Sequence, residues 1–535
     1  MLSTYNFADV FEALADALPH KDAALCGANR MSFAVLDERA NKLANAWKAR
    51  GIGRGDHIGL LLYNSMEFLE AMLAALKLRA VPINVNYRYV AAELAYLFDN
   101  ADMAGLVYEG ELSAEVAGAL AERPVEHIFR VRGEQGPGAD YEAALASGGP
   151  ERDFEPRSSD DLFIVYTGGT TGMPRGVMWR HVDLLYAGLQ GGVPGGEPAE
   201  EPMDIINMAI SNVEVEGEMA ILPAPPLIHG NASFSTWIAW FTGGKVCLLE
   251  GRSFDAAACC ALIGPEMVSV ISIVGDAMGR PLADALAVAE YDVEPLLVVQ
   301  SAGAVLSGSV RHQLQTLLPD VLIMNNFGSS ESGHQGAAFY DEDEGEDAKP
   351  QWLMKDNVTV IDEAFEPIVP GSGAVGRLAR SGRLPMGYYK DPEKTAATFV
   401  EFGGKRWVIP GDMATVEADG TITFLGRGSV CINTGGEKVY PEEVEDALKA
   451  HPAVFDALVV GTPHERWGQQ VEAVVQLRVG HDADAEALTA FCRARVAGYK
   501  VPRRFHLVPE VVRHPSGKPD YAWAKATALG ENASG

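Results

Sequence analysis

The sequence predicts an α/β protein in which a large N-terminal domain of parallel or mixed sheets covered by helices precedes a small α+β domain. The first indication is segment 268–324, where apolar runs of strand length alternate with helical patterns. Such alternation is typical of a parallel sheet with helices on both faces. The second indication is that the pattern restarts after Gly426, which predicts a separate domain of about 105 residues.

The individual elements follow in chain order. Asn6 can cap a first helix, and Asn64 and Ser65 precede a second one, because apolar residues recur at helical spacing after each position. In the middle of the chain, strands and helices alternate over 268–274, 277–289, 296–299, 309–318 and 321–324. In the C-terminal part, the sequence predicts a helix, two strands and a helix at 442–450, 457–460, 471–479 and 485–496. Loops are predicted at 133–150, 191–202 and 341–347.

The predicted topology also locates the functional site. In parallel sheets, ligands bind beyond the carboxyl ends of the strands. Those ends are residues 300–304 and 325–331 in this chain. We therefore expect binding and catalytic residues in these two segments.

Composition narrows the possible functions. The chain has 535 residues, of which 47 % are hydrophobic, so it can bury more than one core. A formal net charge of -30 disfavours binding to nucleic acid or anionic lipid. The six cysteines form no Cys-x-x-Cys pair, so neither a disulfide framework nor a zinc site is indicated. Without a long apolar run or a leader-like N-terminus, we expect a cytoplasmic protein with no integral membrane segment.

A glycine- and threonine-rich segment, Tyr-Thr-Gly-Gly-Thr-Thr-Gly-Met-Pro-Arg-Gly at 166–176, follows an apolar strand at 162–165. Its glycines let backbone N–H groups approach an anion, its threonine hydroxyls add donors, and Arg175 adds a cation. This pattern predicts a cradle for phosphate oxygens. It lacks the Gly-Lys-Ser/Thr ending of a Walker loop, and an ordinary glycine/threonine turn is the alternative.

This loop resembles the phosphate loop of the adenylate-forming superfamily of acyl-CoA synthetases, carrier-protein adenylation domains and luciferases. Further segments resemble that family's motifs in the family's order, over most of the chain. These segments are Phe-Gly-Ser-Ser-Glu at 327–331, Gly-Asp at 411–412, Gly-Arg at 426–427, Gly-Gly-Glu-Lys-Val-Tyr-Pro at 435–441 and Gly-Lys at 517–518.

The resemblance implies roles for particular residues. Lys518, Glu331 and Arg427 are the expected catalytic residues, with Lys518 bridging the substrate carboxylate and the α-phosphate of ATP. Glu331 is also the expected Mg²⁺ ligand. The expected nucleotide-binding residues are Thr167, Gly168, Gly169, Thr170, Thr171, Gly172, Arg175, Gly303, Ala304, Asn326, Phe327, Gly328, Ser329, Ser330, Asp412 and Arg427.

The resemblance also implies a division of labour. Residues 1–426 are expected to bind ATP and the acid, residues 427–431 to form a hinge, and residues 432–535 to form a mobile domain. After rotation of that domain, CoA is expected to contact Gly435, Gly436 and Lys438. Two departures from the family pattern are Arg175 in place of lysine and the absence of a carboxylate after Gly426-Arg427 at the hinge. A homodimer is possible.

The acid substrate is indicated less directly. Residues 205–254 contain no aspartate that could hold an ammonium group, which favours a non-amino carboxylic acid. His229, Phe234 and Trp237 are the expected acyl-pocket residues, although a structural role in the core is the alternative for each. The local sequences at 426–441 and 498–503 resemble acyl-CoA synthetases that activate steroid side-chain acids. Medium- or long-chain fatty acids stay open.

The expected function is therefore an ATP-dependent acid:CoA ligase that forms acyl-CoA, AMP and pyrophosphate through an acyl-adenylate. Two other functions stay open. One is an enzyme that transfers its acyl group to a carrier protein, and the other is a non-catalytic adenylate-binding protein.

Overall fold

A computed structural model describes residues 2–169, 172–338, 352–354, 357–434, 437–514 and 517–531. The helices are α1 (Phe7–Ala17), α2 (Phe33–Lys48), α3 (Met66–Lys77), α4 (Ala91–Asn100), α5 (Ser113–Glu122), α6 (Tyr141–Ala146), α7 (His181–Gly188), α8 (Pro202–Glu214), α9 (Gly230–Phe241), α10 (Ala256–Ile263), α11 (Gly275–Val288), α12 (Gly308–Leu317), α13 (Pro392–Thr398), α14 (Pro441–Lys449), α15 (Ala485–Arg493) and α16 (Tyr521–Ala528). The strands of the first half are β1 (Asp22–Cys26), β2 (Asn29–Ser32), β3 (His57–Leu61), β4 (Val81–Asn84), β5 (Met103–Glu109), β6 (His127–Val131), β7 (Ala139–Asp140), β8 (Leu162–Gly169), β9 (Gly172–Arg180), β10 (Ala220–Pro223), β11 (Lys245–Leu248) and β12 (Val270–Ile273). The remaining strands are β13 (Val298–Ala302), β14 (Leu322–Ser329), β15 (Gly333–Ala338), β16 (Leu353–Met354), β17 (Val358–Ile361), β18 (Gly376–Ser381), β19 (Gly387–Tyr388), β20 (Phe399–Phe402), β21 (Lys405–Val408), β22 (Asp412–Val416), β23 (Ile422–Arg427), β24 (Ile432–Thr434), β25 (Glu437–Val439), β26 (Val454–His464), β27 (Gly468–Leu477) and β28 (Arg504–Val508).

These strands form three sheets in the large domain and one in the small domain. The first sheet has the order β16-β15-β14-β13-β12-β10-β11-β1-β2, and the second has the order β19-β9-β8-β4-β3-β5-β6-β7. Both are parallel in the middle, where helices cover them, and antiparallel at an edge. The third sheet, β20-β21-β18-β22-β23 with β17 on β18, is antiparallel. The small domain has β25-β24-β27-β26, with β28 parallel to β27.

The predicted α/β fold and the alternation at 268–324 are confirmed. The five predicted elements there are β12, α11, β13, α12 and β14, and the three strands are adjacent and parallel. Asn6 caps α1 through its side chain, as predicted. Of the two polar residues expected before α3, Ser65 is the one that caps this helix. The helix predicted at 485–496 is shorter, because α15 ends at Arg493.

Two predicted loops contain regular structure. The loop predicted at 133–150 includes β7 and α6, since Asp140 caps α6 with its side chain. The glycine- and threonine-rich segment belongs to two strands, because β8 continues to Gly169 and β9 starts at Gly172. Thr170 and Thr171 lie outside the described residues, as does the predicted acidic loop at 341–347.

Apolar burial holds each domain together separately. The largest cluster of buried apolar side chains joins α1, α2, α3 and the second sheet, and a second cluster packs α10, α11 and α12 on the first sheet. The small domain has two clusters, one on each face of its sheet. No helix within the described residues is both long enough and apolar enough to cross a membrane.

Candidate active site

An acidic and a basic side chain face each other at the end of the third sheet. Asp412 begins β22 and is paired in register with Arg427 at the end of β23. Arg427 Nε lies 3.3 Å from Asp412 Oδ1, and Asp412 is only 4 % exposed. Burial raises the pKa of Asp412, although Arg427 opposes this shift. Gly411 has φ +102°, a conformation that favours glycine and lets the chain turn into β22 at Asp412.

Glu331 lies in the tight turn between β14 and β15. Its Oε1 accepts a hydrogen bond of 3.0 Å from the Tyr388 hydroxyl, which belongs to the second sheet. Trp179, also on that sheet, donates its indole N–H to the Ser330 carbonyl at 2.9 Å. The Ser332 hydroxyl accepts from the Ser329 N–H at 3.1 Å. These contacts fix the Glu331 turn between the first and second sheets.

Lys518 extends from the small domain to the carboxyl ends of β12 and β13. A Cβ atom built on Gly303 would lie 3.6 Å from Lys518 Cε, and one on Gly517 would lie 3.1 Å from Val274. Gly303 has φ +89°, so the chain turns sharply after β13 where the lysine arrives. The lysine loop is closed by hydrogen bonds between His514 and residues 517 and 518.

The charges of these groups influence one another. Burial lowers the pKa of Lys518, and the cation of Arg427 lowers it further, whereas Glu331 and Asp412 oppose the shift. Lys518 nevertheless keeps an exposed surface, so it borders an open cleft. The arrangement is a cleft with two cations and two carboxylates. Glu331 comes from the first sheet, Asp412 and Arg427 come from the third sheet, and Lys518 comes from the small domain.

The glycine- and threonine-rich hairpin pairs through β9 with β19, the strand that carries Tyr388. Thr167 on β8 is the register partner of Arg175 on β9. Arg175 Nε lies 3.0 Å from Asp391 Oδ2, so its cation already has an anionic neighbour. Asn84 exchanges two hydrogen bonds of 2.8 Å with the backbone of Tyr166, which holds β8 at the base of the hairpin.

The residues expected near adenine lie on β13, β14 and the turn after β13. Asn326 donates to Gln300 Oε1 at 3.0 Å and contacts His334 Nε2 at 3.2 Å through its Oδ1. The Phe327 ring packs against Phe424 and Trp352, with ring centroids 5.0 Å and 5.6 Å away. Ala304 and Gly328 lie on the same edge of the sheet, where small residues leave the backbone accessible.

The expected acyl-pocket residues separate into two environments. His229 and Phe234 line a narrow, mainly apolar cavity of about 30 Å³ with Phe68, Met72 and other residues. Burial lowers the pKa of His229 to about 3, and the nearby Lys518 lowers it further. His229 Nε2 is buried and forms no hydrogen bond within the described residues.

Trp237 is the exception among the expected acyl-pocket residues. It is completely buried, and its ring packs against Phe7, Trp240 and Phe241 in the core of the large domain. The reason is helical geometry, since Trp237 lies on the face of α9 that packs inward against α1, whereas Phe234 is only half-buried. The structure therefore assigns Trp237 to the core.

The expected CoA-binding residues are only partly described. Lys438 lies exposed on β25. Gly435 and Gly436 lie outside the described residues, like Thr170 and Thr171 of the hairpin.

Comparison with known proteins identifies the family. The model of the AMP-binding enzyme family matches residues 11–389, and the model of the AMP-binding enzyme C-terminal domain matches residues 443–518. The chain belongs to the AMP-binding enzyme family. The resemblance seen in its motifs is thereby confirmed.

Two relatives of this AMP-binding enzyme are similar over nearly the whole chain. A 3-oxocholest-4-en-26-oate–CoA ligase of Rhodococcus rhodochrous is 46 % identical over 533 residues, which cover 97 % of this chain and 95 % of that protein. A medium/long-chain-fatty-acid–CoA/3-oxocholest-4-en-26-oate–CoA ligase of Mycobacterium tuberculosis is 44 % identical over 537 residues, with 98 % and 96 % covered. The crystal structure of an anthranilate CoA ligase in complex with anthranoyl-AMP has the same fold, with a TM-score of 0.83, 22 % identity and 99 % of both chains covered.

Several residues of the site were not found from the sequence of this AMP-binding enzyme. Tyr388 and Trp179 hold the Glu331 turn, Asp391 pairs with Arg175, and Phe424 packs on Phe327. None of these residues has a local sequence signal, because each meets its partner only through packing of distant segments. The aromatic types of Tyr388 and Trp179 beside a motif strand are the nearest available hint.

Proposed function

We propose that this AMP-binding enzyme is an ATP-dependent carboxylic acid:CoA ligase that forms acyl-CoA, AMP and pyrophosphate through an acyl-adenylate. The observation that carries the proposal is the convergence of Lys518, Glu331 and the Asp412–Arg427 pair on one cleft. The relatives from Rhodococcus rhodochrous and Mycobacterium tuberculosis, both named CoA ligases, support it.

The first half-reaction must overcome repulsion between two anions. An oxygen of the substrate carboxylate forms a bond to the α-phosphorus of ATP, and the bond from that phosphorus to the pyrophosphate oxygen breaks. Lys518 reaches the cleft at Gly303, so its ammonium can contact both the carboxylate and the α-phosphate. A preorganised cation at this point stabilises the negative charge that develops in the transition state.

The large domain supplies the nucleotide site in this proposal. The two oxygens of Asp412 accept hydrogen bonds from the ribose hydroxyls, and Arg427 keeps that carboxylate oriented. Asn326 and Phe327 face adenine together with Gly303, Ala304 and Gly328. The β8–β9 hairpin binds the β- and γ-phosphates, and Arg175 then shares its charge between them and Asp391.

Glu331 fits a single Mg²⁺ ion bound together with ATP. Tyr388 occupies only one of its carboxylate oxygens, and Mg²⁺ prefers one or two carboxylates together with water and phosphate oxygens. Among the residues that the structure describes, no three His, Cys, Asp or Glu side chains converge as a preformed metal cage. When bound, the ion neutralises phosphate charge, and Glu331 holds it at the edge of β14.

The second half-reaction needs room for a thiol. We propose that residues 427–431 form the hinge between residues 1–426 and 432–535, and that rotation there withdraws Lys518. Gly435, Gly436 and Lys438 then contact CoA. The CoA sulfur bonds to the acyl carbon, the bond from that carbon to AMP breaks, and the thiol proton is released.

The acid is proposed to be large and apolar, either a steroid side-chain acid or a medium- or long-chain fatty acid. His229 and Phe234 stand beside a cavity with mainly apolar walls, which supports an apolar acyl group. Because burial keeps the pKa of His229 at about 3, its imidazole is neutral at pH 7 and presents no charge to that group. The names of the two relatives include both acid classes.

The decisive experiment is incubation of the purified enzyme with ATP, Mg²⁺, CoA and a panel of acids, with products identified by mass. Formation of acyl-CoA with AMP supports the ligase. An acyl-adenylate that is discharged only onto a carrier protein would favour that transfer function instead, and binding without turnover across the panel would favour a non-catalytic protein.

We also propose that the enzyme acts in the cytoplasm, because its six cysteines are all free thiols. A homodimer is the proposed assembly to test by light scattering. Neither proposal affects the chemistry above.

A further inference from the structure

A buried ion pair joins the two domains at some distance from the reacting groups. Lys449 is the last residue of α14 in the small domain, and its Nζ lies 2.9 Å from Asp276 Oδ2 on α11 of the large domain. The two side chains are only 9 % and 3 % exposed. Such a pair contributes more than a surface ion pair only if both partners are well held.

The large domain holds its partner in place. The backbone N–H of Ser307 donates to Asp276 Oδ1 at 2.8 Å. Burial alone would raise the pKa of Asp276, but the cations of Lys449 and Arg280 lower it to about 2. Asp276 is therefore ionised at pH 7, and the Ser307 N–H holds its carboxylate where Oδ2 can pair with the Lys449 ammonium.

The end of α14 makes additional polar contacts with the same surface. The carbonyl of Lys449 accepts from Arg280 Nη2 and from the Ser309 hydroxyl, both at 3.4 Å. These donors face the negative end of the helix dipole. A second ion pair, Arg478 with Asp284 at 3.3 Å, lies in the same boundary.

On the small-domain side, charged groups continue from Lys449 to the lysine loop. Asp456 is among the carboxylates that raise the pKa of Lys449 against the effect of burial. The Asp456 carboxylate accepts from Arg513 Nε at 2.6 Å and from Nη2 at 2.7 Å. Arg513 Nη1 in turn donates to the Gly517 carbonyl at 3.1 Å, next to Lys518.

We infer that Asp276 and Lys449 are positioning residues that dock the small domain so that Lys518 reaches the adenylation site. Asp276–Lys449 sets the domain contact, and Asp456–Arg513 transmits that position to the Gly517–Lys518 turn. The inference rests on the proposed ligase function and assigns this contact to the first half-reaction alone. An ion pair suits a contact that must open again, because both charges regain water when the domains separate.

Four variants test this inference. Asp276→Asn and Lys449→Met each remove one charge, and the double variant removes both. The matched control is Lys500→Met, which breaks a half-buried ion pair with Glu443 at 2.6 Å inside the small domain. Each full-length variant is assayed with an acid that the wild-type enzyme converts to acyl-CoA.

Two assays separate the half-reactions. Acid-dependent exchange of pyrophosphate into ATP reports adenylation, and acyl-CoA formation from supplied acyl-adenylate and CoA reports the second step. We expect each single variant to lose about tenfold or more in exchange, because the remaining buried charge loses its ion-pair partner when the domains dock. We expect the second step to change by less than about twofold.

The double variant and the control complete the test. Because the double variant leaves neither Asp276 nor Lys449 buried without the other, its loss of exchange should be clearly smaller than the two single losses combined. The control should match wild type in both assays. In ATP-bound wild type, a protease should cut segment 427–431 more slowly than in Asp276→Asn.

Wild-type exchange in both single variants, equal losses in both half-reactions, or additive losses in the double variant would overturn the inference. Failure of the ligase proposal looks different, because the wild-type enzyme itself would then make no acyl-CoA. Thermal unfolding measured on every variant identifies any loss of exchange that is caused by misfolding. If a single variant does not fold, the double variant still tests the inference.

Discussion

The interior of the large domain and the boundary between the two domains are built from different interactions. The interior is apolar, with Phe7, Trp237 and Trp240 packed ring against ring. The boundary contains polar contacts, among them the ion pairs Asp276–Lys449 and Asp284–Arg478. Within the described part of the chain, each buried apolar cluster lies wholly before or wholly after segment 427–431.

The two kinds of interaction suit the proposed mechanism, in which the large domain keeps its packing while the small domain rotates. Apolar surface that leaves the core costs about 25 cal/mol for each Å² exposed to water, so apolar packing resists opening. Charged groups that separate are hydrated again, so a charged boundary opens at a smaller cost. In the proposed mechanism, apolar packing therefore holds the site residues of the large domain permanently, whereas a reversible contact brings Lys518 to the site.

The largest effect that would test the comparison concerns the two faces of α9. Trp237→Ala should lower the free energy of unfolding by about 3–5 kcal/mol, because it leaves a large cavity in the core. Phe234→Ala should cost less stability, because Phe234 is only half-buried. Urea unfolding of both variants, followed by competition between acids of different bulk, measures the contrast. If the folded Trp237→Ala variant changed its acid preference and Phe234→Ala did not, the assignment of Trp237 to the core would be contradicted.

Removal of the delivered cation should produce the next largest effect. Lys518→Ala should reduce adenylation by about 10²- to 10³-fold, since one preorganised charge is lost from the transition state. Exchange of pyrophosphate into ATP measures it. Lys525→Ala is the matched control, because Lys525 is exposed on α16 close in sequence. Full exchange in Lys518→Ala would refute the role of Lys518.

The fixed carboxylate of the large domain should matter mainly for ATP. Asp412→Asn should lower kcat/KM for ATP by about 10- to 100-fold, because charge-assisted hydrogen bonds to the ribose are weakened. Asp419→Asn serves as the control, since Asp419 lies exposed in the turn of the same β22–β23 hairpin. Equal kcat/KM values in the two variants would show that Asp412 does not contact the nucleotide.

The smallest expected effect is a shift of a pH profile. Because burial and Arg427 lower the pKa of Lys518, kcat/KM for ATP should fall with rising pH before an ordinary lysine would lose its proton. The protonated form is the active one, so activity is present below this pKa and lost above it. Arg427→Gln should move this alkaline limb to higher pH, and Asp412→Asn should move it to lower pH.

Unmoved limbs in both of these variants would indicate that the limb belongs to a group other than Lys518. The pH profiles of kcat/KM for ATP are measured with the carboxylic acid substrate at a saturating concentration, so that binding of that acid does not contribute to them. Because Arg427→Gln and Asp412→Asn should shift the limb in opposite directions, each variant serves as a control for the other.

Much of the site could be predicted because topology and local chemistry agree. The segments at 300–304 and 325–331 end parallel strands, and ligands bind at that edge of such sheets. Asp412 and Lys518 were found by motif. The groups that hold these residues could not be found, because the hydroxyl of Tyr388 meets Glu331 across 57 residues of chain and two sheets.

The sequence by itself determined the α/β class, the order of the elements and the identities of the charged groups. Hydrophobic periodicity and helix capping depend on residues that are close together in the sequence, so both can be recognised without the tertiary structure. Only the tertiary structure decided that Trp237 belongs to the core, that Arg175 shares its charge with Asp391, and that Asp276 meets Lys449. These outcomes depend on how distant segments of the chain pack together and exclude water. That packing sets the burial of each side chain and the strength of its electrostatic interactions.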